Sequence, residues 1–212
     1  MIQVSNLTKK FGSHVSLDNV SVQFEKNNYI ALMGPNGAGK TTLIRSILGY
    51  YHPNSGNVLI NGKDPIKQRV EVLDSISFVP QLPPPIKLNL DELIQYIEAS
   101  SNVDSELIMH YANEMKLDLK ANLNKSFFKL SGGMKQKMLI AISLAKKSDI
   151  IIYDEPTANL DPVARDDFYR LLKQNEDDKI LLFVTHRLDE VKEIVNRQIY
   201  MDLGKIVSDE LV

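Results

Sequence analysis

A glycine-rich stretch between an apolar run and a helical pattern carries the clearest chemistry in this 212-residue chain. The apolar run extends from Tyr29 to Met33, and the residues from Gly34 to Thr41 match G-x-x-x-x-G-K-[ST] in full. Backbone N–H groups in such a loop point inward at an anion, and the following helix N-terminus adds unpaired donors and partial positive charge. The pattern therefore predicts a strand, a phosphate loop and a helix that bind a nucleoside triphosphate.

Two side chains at the end of this loop would act on the phosphates. Lys40 would reach the β- and γ-phosphates, and the Thr41 hydroxyl would ligate Mg²⁺. An ordinary glycine turn is the alternative interpretation, but the strand and helix patterns on either side favour the phosphate loop. The residues expected to line the nucleotide phosphates are Gly34, Pro35, Asn36, Gly37, Ala38, Gly39, Lys40, Thr41 and Thr42.

A second stretch with the chemistry of an anion site is Leu130-Ser-Gly-Gly-Met134. Ser131 is a good N-cap, and Gly132 and Gly133 would open a helix whose apolar face is Met138, Ile142 and Ala145. A merely well-capped helix is the alternative. One chain with two anion sites can serve one nucleotide only if they face each other, within the chain or between copies.

An acidic pair follows the apolar run Ile150 to Tyr153, which is typical of a strand covered on both faces of a parallel sheet. A carboxylate at the carboxyl end of such a strand lies where α/β sheets keep their ligands, so Asp154 can hold Mg²⁺. Glu155, the next residue, can polarise an attacking water as general base. A solvated strand end is the alternative, and the nearby phosphate loop makes it the weaker one.

The rest of the chain predicts the elements that position these residues. Residues 2–32 alternate as half-buried strands of an antiparallel sheet that leads into the phosphate-loop strand. The other predicted elements are a helix over 42–50 ended by Gly49, short strands at 58–60, 77–79 and 180–184, a helix begun by Asp161 and Pro162, and a closing hairpin around 203–204.

The composition changes at Pro83-Pro-Pro85, where three prolines forbid a helix. Two apolar stripes with helical spacing follow the prolines: Leu90, Leu93, Ile94 and Ile97, then Leu107, Ile108, Tyr111, Ala112 and Met115. Asp104 or Ser105 is the predicted N-cap of the second helix. We expect one domain, with a catalytic α/β lobe over 1–82 and 148–212 and a helical lobe over 83–147.

Bulk properties exclude several classes of protein. The chain has 25 Lys and Arg against 27 Asp and Glu, a net charge of −2, so we expect no nucleic-acid partner. It has no cysteine, hence no disulfide framework or Cys-based zinc site. The N-terminus has no signal-peptide pattern, and the apolar runs are far shorter than the roughly 20 residues that span a bilayer. We expect a soluble, cytoplasmic chain.

In their order along the chain, these motifs resemble the ATP-binding-cassette (ABC) ATPase family over nearly the whole sequence. The resemblance implies an α/β P-loop NTPase fold with a RecA-like parallel sheet core, an N-terminal antiparallel β subdomain and an inserted helical lobe. It implies that 34–41 is the Walker A loop, that 130–134 is the signature motif, and that Asp154 and Glu155 are the Walker B pair.

The same resemblance implies roles for further residues. Phe11 matches the aromatic that stacks on adenine, although a plain core or turn aromatic is an open alternative. Gln81 matches a glutamine that touches Mg²⁺ where the helical lobe hinges, and Asp161 ends the D-loop. His186 resembles the histidine that contacts the γ-phosphate. The predicted catalytic residues are thus Lys40, Gln81, Glu155 and His186, and the metal ligands are Thr41, Gln81 and Asp154.

The family also implies how the protein works. Two cassettes, identical or different, would meet head to tail and bury two ATP molecules, each between the Walker A loop of one and the signature motif of the other. An integral membrane permease subunit would hold the chain at the inner face of the membrane and use the cycle for transport. Met134 departs from the glutamine of many members, and Gly132-Gly-Met134 followed by Lys135-Gln-Lys137 resembles the ABC-2 type exporter group. The alternative is a soluble ABC ATPase acting on ribosomes, DNA or cluster assembly.

Overall fold

The computed structural model describes residues 1–101, 103–175 and 178–212. Their contacts divide the chain into two compact units. Residues 1–76, 149–154 and 178–212 form the first unit, and the described residues of 77–148 and 155–175 form the second. Each unit is assembled from segments that are distant in sequence.

The N-terminal part of the first unit is an antiparallel sheet in the order β2-β1-β4. Its strands are β1 (Ile2–Phe11), β2 (His14–Phe24) and β4 (Ser55–Ile60). Alternate residues are buried over 2–4 of β1 and 20–24 of β2, as the period of two in the sequence predicts, and register shifts after Val4 interrupt the pattern. The predicted antiparallel subdomain is therefore confirmed, and β4 starts earlier than expected because Ser55 pairs with Thr8.

A second, mixed sheet contains the phosphate-loop strand. In the first unit its strands run in the order β6-β7-β3-β8-β9. They are β3 (Tyr29–Met33), β6 (Ile150–Asp154), β7 (Ile180–Val184), β8 (Arg197–Asp202) and β9 (Lys205–Leu211). The strands β6, β7, β3 and β8 pair in parallel, and β8 with β9 forms the predicted closing hairpin. Every residue of β6 and β7 is buried, as an apolar run in a covered parallel sheet requires.

Helix α1 (Lys40–Ile47) follows the phosphate loop, and short helices α2 (Arg69–Asp74) and α7 (Leu188–Val191) lie elsewhere in the first unit. Gly49 ends α1 as predicted. It takes a positive φ of 69° while its N–H bonds to the Ser46 carbonyl and the Tyr50 N–H to the Arg45 carbonyl. This pair of bonds is a Schellman motif.

The second unit is mainly helical. It contains α3 (Leu90–Ser101), α4 (Ser105–Glu114), α5 (Gly132–Ala145) and α6 (Pro162–Lys173), with 3₁₀ turns at Lys120–Asn122 and Phe127–Lys129. Strand β5 (Ile76–Val79) begins at the end of the first unit. The proline stretch 83–85 is not helical, as predicted.

Side-chain caps fix where these helices begin. Asp104, Ser131 and Asp161 each accept a hydrogen bond from a main-chain N–H in the first turn of α4, α5 and α6. Asn89 and Glu92 form a reciprocal capping box at α3, with bonds of 2.9 and 2.8 Å. The sequence predicted Ser131 and Asp161 as caps and offered Asp104 or Ser105 for α4, of which the structure has Asp104. The capping box was missed although its residues have the expected spacing.

The predicted helix stripes are buried for the most part. Leu90, Leu93 and Ile94 of α3 are buried, and Ile97 is half-buried. Helix α5 departs from a single apolar face, since Gln136 and Ser143 are buried along with the apolar residues, while Ile142 is only half-buried. A helix covered on most of its surface shows no clear stripe, so its buried side could not be assigned from periodicity.

Within the described ranges, no helix is long and apolar enough to cross a membrane.

Gly34 and Gly37, both in the phosphate loop, give a matched test of how closely the loop packs against strand β8. A Cβ at Gly34, with φ 139°, would lie 2.0 Å from the Met201 carbonyl oxygen, whereas a Cβ at Gly37, with φ 84°, would meet nothing within 4 Å. We expect Gly34→Ala to lower the free energy of unfolding by about 2–4 kcal/mol, from backbone strain and overpacking. Gly37→Ala should cost about 1–2 kcal/mol from strain alone. Urea denaturation measures both, and equal losses would contradict the packing argument.

Candidate functional site

The phosphate loop wraps around the side chain of its own lysine. The Lys40 ammonium donates to the carbonyl oxygens of Gly34, at 2.6 Å, and Pro35, at 3.0 Å, and the residue is only 7% exposed. Gly39 precedes the helix with a φ of 101°, so the chain enters α1 directly from a left-handed turn. The ammonium is thus held inside the loop, at the N-terminus of α1, where an anion is favoured.

Two segments of the first unit, the β8–β9 turn and strand β2, support the loop from outside. The Gly204 N–H, in the β8–β9 turn, donates to the Ala38 carbonyl at 3.1 Å. The Ser16 hydroxyl of β2 bonds to the Thr42 hydroxyl at 2.7 Å. A Cβ at Gly39 would lie 2.5 Å from the Ser16 carbonyl oxygen, so this glycine is required for close approach.

The parallel strands bring further predicted residues to the edge where the loop begins. Asp154, the last residue of β6, pairs with Val184 of β7, and Val184 pairs with Leu32 of β3. With strands about 4.8 Å apart, the Asp154 backbone lies roughly 10 Å from β3. Asp154 is 8% exposed, so its carboxylate is set in a largely dry environment.

His186 leaves β7 at this same edge. The Thr185 N–H donates to the Leu32 carbonyl at 3.4 Å, and the Thr185 hydroxyl accepts from the Arg187 N–H at 3.0 Å. These bonds fix the backbone on both sides of His186, whose side chain is exposed. The first unit therefore brings the phosphate loop, Asp154 and His186 to one edge of the parallel sheet.

Glu155 begins a turn as soon as β6 ends. Its φ is 51°, a left-handed conformation that non-glycine residues rarely adopt, and the Ala158 N–H donates to its carbonyl at 3.2 Å. Backbone in this conformation costs about 1–3 kcal/mol, and Lys116, Lys147 and Leu203 also adopt it in this chain. Asp154 therefore lies at the end of a strand, whereas the adjacent Glu155 lies at the start of a turn.

Phe11 ends β1 just before the turn at Gly12 and is 44% exposed, so it is not a core aromatic. Its ring meets that of Tyr51, with centroids 5.1 Å apart and an angle of 77° between the planes. Gln81, in the second unit, follows β5 and is exposed. Both side chains are therefore accessible to a ligand.

The second unit places the Ser131-Gly-Gly133 segment beside the turn that contains Asn159. Ser131 caps α5 by accepting from the Met134 N–H at 3.2 Å. A Cβ at Gly133 would lie 3.0 Å from the Asn159 carbonyl oxygen, and one at Gly132 would contact the Asn159 side chain. Glycine at position 133 therefore lets α5 begin directly against the backbone of that turn.

Asp161 closes the same turn and begins α6. Its carboxylate accepts from the Ala164 N–H at 2.9 Å and lies 4.0 Å from the Lys137 ammonium. The hydrogen bond, with a smaller contribution from Lys137, holds the pKa of the Asp161 carboxyl below its ordinary value. This cap therefore stabilises the fold above the ordinary carboxyl pKa and is lost as the pH falls through the lowered one.

Three residues near these segments were not found from the sequence. Ser16 and Tyr51 contact Thr42 and Phe11 only through tertiary packing, and neither belongs to a recognisable motif. Gln136 is fully buried in α5, and both atoms of its side-chain amide lack a hydrogen-bond partner among the described residues. Its position two residues after Met134 gave no signal of burial.

A loop of this form between a central parallel strand and a helix, with a buried acid at the end of a nearby strand, defines a P-loop nucleotide-binding protein. Comparison with known proteins narrows this class. The model of the family described as "ABC transporter" matches residues 17–158.

Similar proteins include the Nod factor export ATP-binding protein I of Cupriavidus metallidurans, 32% identical over 99% of this chain and 70% of that protein. The arginine transport ATP-binding protein ArtM of Bacillus subtilis is 32% identical over 99% of this chain and 90% of its own length. Among solved structures, the dimeric post-hydrolysis state of an ATP-binding cassette with ADP and Pi matches with a TM-score of 0.87 and 27% identity. The match covers 100% of this chain and 98% of that one.

The chain belongs to the ABC transporter family, as one of its ATP-binding, ATP-hydrolysing subunits. The fold expected from the sequence, a P-loop α/β core with an N-terminal antiparallel sheet, is confirmed by the strand order and by the structural match.

The buried Gln136 amide leads to a stability prediction. Each buried polar group without a partner costs about 1–3 kcal/mol, so Gln136→Leu, of similar volume, should raise the free energy of unfolding by about that amount. Gln95→Leu, on the exposed face of α3, is the control and should change it by less than about 0.5 kcal/mol. Urea denaturation compares them, and a loss of stability in Gln136→Leu would show that the amide is hydrogen-bonded.

Proposed function

We propose that this subunit binds ATP with its phosphates in the Gly34–Thr42 loop and hydrolyses it with Glu155 as general base. The observation that carries the proposal is the Lys40 ammonium, buried and fixed by two loop carbonyls at the N-terminus of α1. Such a cation and the loop N–H groups would stabilise the charge of the transferring phosphoryl group. Thr42, held by Ser16, would face the phosphates from the first turn of α1.

The oxygen donors near the loop suit a magnesium ion. Mg²⁺ takes oxygen ligands and usually uses one or two carboxylates, with phosphates and water completing the shell. No group of three or more His, Cys, Asp and Glu side chains that could hold a metal occurs among the described residues, so a protein-only cage is not built there. Thr41, Asp154 and Gln81 would hold the ion. When bound, it neutralises phosphate charge.

Glu155 and His186 would complete the chemistry. The left-handed backbone of Glu155 ends β6 at Asp154, so the metal ligand and the base can serve different atoms. Glu155 would accept the proton of the attacking water, and His186 would hydrogen-bond to the γ-phosphate. Phe11, exposed at the end of β1, would stack on the adenine.

The signature segment would serve a second cassette. Ser131, Gly132 and Gly133 lie at a capped helix N-terminus, a suitable partner for the γ-phosphate bound in another subunit, and Asp161 lies in the adjoining turn. A head-to-tail dimer, of two copies or of two different cassettes, would thus bury two ATP molecules. A solved relative carries the description of a dimeric bacterial ABC transporter cassette and is 28% identical, which supports this arrangement.

A membrane permease subunit is the expected partner for transport, and the chain would lie at the inner face of the membrane through it. The relatives have names for both export and import, so the permease would determine the substrate and its direction. We propose that the helical lobe over 83–147, which begins with the proline link, forms the coupling surface. Leu82, beside Gln81, is 79% exposed and would contact the permease.

Glu155→Gln tests the base. We expect hydrolysis to fall at least about 100-fold, because general-base catalysis contributes about that much or more, while ATP binding is retained. The variant should therefore form an ATP-dependent dimer on size-exclusion chromatography. Glu106→Gln, on the exposed side of α4, is the control and should hydrolyse ATP normally. A Glu155→Gln protein with wild-type turnover would contradict the assignment.

Leu82→Ser tests the permease contact. We expect the wild-type chain to co-purify an integral membrane protein from detergent-solubilised membranes of its own organism. Leu82→Ser should reduce the recovery several-fold, because an exposed apolar contact is lost. Leu203→Ser, equally exposed at 82% in the β8–β9 turn, should leave the recovery unchanged. Capture of ribosomes or other soluble complexes in place of a membrane protein would favour a soluble ABC role.

A further inference from the structure

A cluster of aromatic and cationic side chains surrounds Phe11 in the first unit. The Phe11 and Tyr51 rings meet edge to face, at 5.1 Å between centroids. The Lys9 ammonium lies over both rings, 5.0 Å from the Phe11 centroid and 5.7 Å from that of Tyr51. The Phe11 ring is therefore held by contacts on part of its surface, while 44% of the residue stays exposed.

Tyr51 is itself fixed from the side of α1. Arg45, in the last turn of that helix, donates from its guanidinium to the Tyr51 hydroxyl at 2.9 Å. The same guanidinium lies 5.9 Å from the Tyr51 ring centroid. The Tyr51 ring is half-buried, so its rotamer is restrained by a hydrogen bond, a cation and packing together.

Backbone bonds tie the loop that contains Tyr51 to strand β1. The Asn54 N–H donates to the Thr8 carbonyl at 2.8 Å, and the Lys10 N–H donates to the Asn54 side chain at 2.7 Å. The Lys9 ammonium donates to the His52 carbonyl at 2.8 Å. The loop over 50–54 leaves the Schellman end of α1 directly, so the helix that holds Lys40 at one end holds Phe11 through its other end.

We propose that Tyr51 is a positioning residue for the nucleotide base: it fixes the Phe11 ring, and with it the distance between the base platform and the phosphate loop. The inference rests on the proposed role of Phe11 in stacking. A free phenylalanine ring loses rotamer freedom when a base stacks on it, whereas a ring already held by Tyr51 has lost that freedom in advance. Tyr51 thus strengthens binding of the base without touching the phosphates.

The test separates the base from the phosphates. Isothermal titration calorimetry with Mg²⁺ present gives the Kd of ADP and of pyrophosphate. The Kd of pyrophosphate divided by the Kd of ADP is the ratio that measures how much the nucleoside strengthens binding. Tyr51→Leu should lower this ratio roughly two- to tenfold and leave the affinity for pyrophosphate unchanged. This range is the energy of an aromatic pair converted to a ratio of Kd values. Tyr51→Phe, which keeps the ring, should retain most of the ratio. A second truncation, Tyr51→Met, guards against a folding defect specific to leucine.

Phe11→Leu distinguishes the failure of this inference from the failure of the proposed function. If Phe11→Leu and Tyr51→Leu both lower the ratio, the positioning role is supported. If only Phe11→Leu does, Phe11 binds the base but Tyr51 does not position it. An unchanged ratio in Phe11→Leu overturns both assignments. Tyr200→Leu, at a 40% exposed tyrosine of β8, is the matched control and should leave the ratio unchanged. Equal weakening of ADP and pyrophosphate by Tyr51→Leu also overturns the proposal.

Discussion

The close approach of backbone to backbone at the phosphate loop is the constraint on which the rest of the site depends. At Gly34 and Gly39 a Cβ would fall 2.0 Å and 2.5 Å from carbonyl oxygens of Met201 and Ser16. These contacts come from β8 and β2, one strand from each sheet of the first unit. The loop that holds Lys40 is therefore shaped by both sheets, and Gly34 and Gly39 are needed for this close packing.

The parallel pairing of β3, β6 and β7 then decides which side chains can join the loop. Because the three strands run in one direction, their carboxyl ends meet at one edge, and Asp154 and His186 leave the sheet where the loop begins. A residue one position before Asp154 would lie within the buried part of β6, inside the core. This is why an apolar run that stops at Asp154 could be interpreted as a site from the sequence alone.

Prediction from the sequence succeeded where a local pattern had a single physical cause. The glycine loop, the caps Asp104, Ser131 and Asp161, and the buried runs of β6 and β7 each follow from neighbouring residues. Helix α2 was missed because, of its six residues, only Val72 is buried. Tyr51 and Ser16 were missed because their partners lie distant in sequence and meet them only in the folded chain.

The backbone at Glu155 connects these local and tertiary effects. A strand that continued past Asp154 would place the next side chain on the opposite face of the sheet, since successive residues alternate. The φ of 51° at Glu155 ends the strand and begins a turn that the Ala158 N–H closes by donating to the Glu155 carbonyl. The chain then passes Leu160, whose carbonyl accepts from the Arg165 side chain, and reaches the Asp161 cap of α6. Several hydrogen bonds in the turn and at its end therefore stabilise a conformation that glutamate alone would avoid. The fixed turn therefore holds the Glu155 backbone in one conformation directly after the strand that carries Asp154.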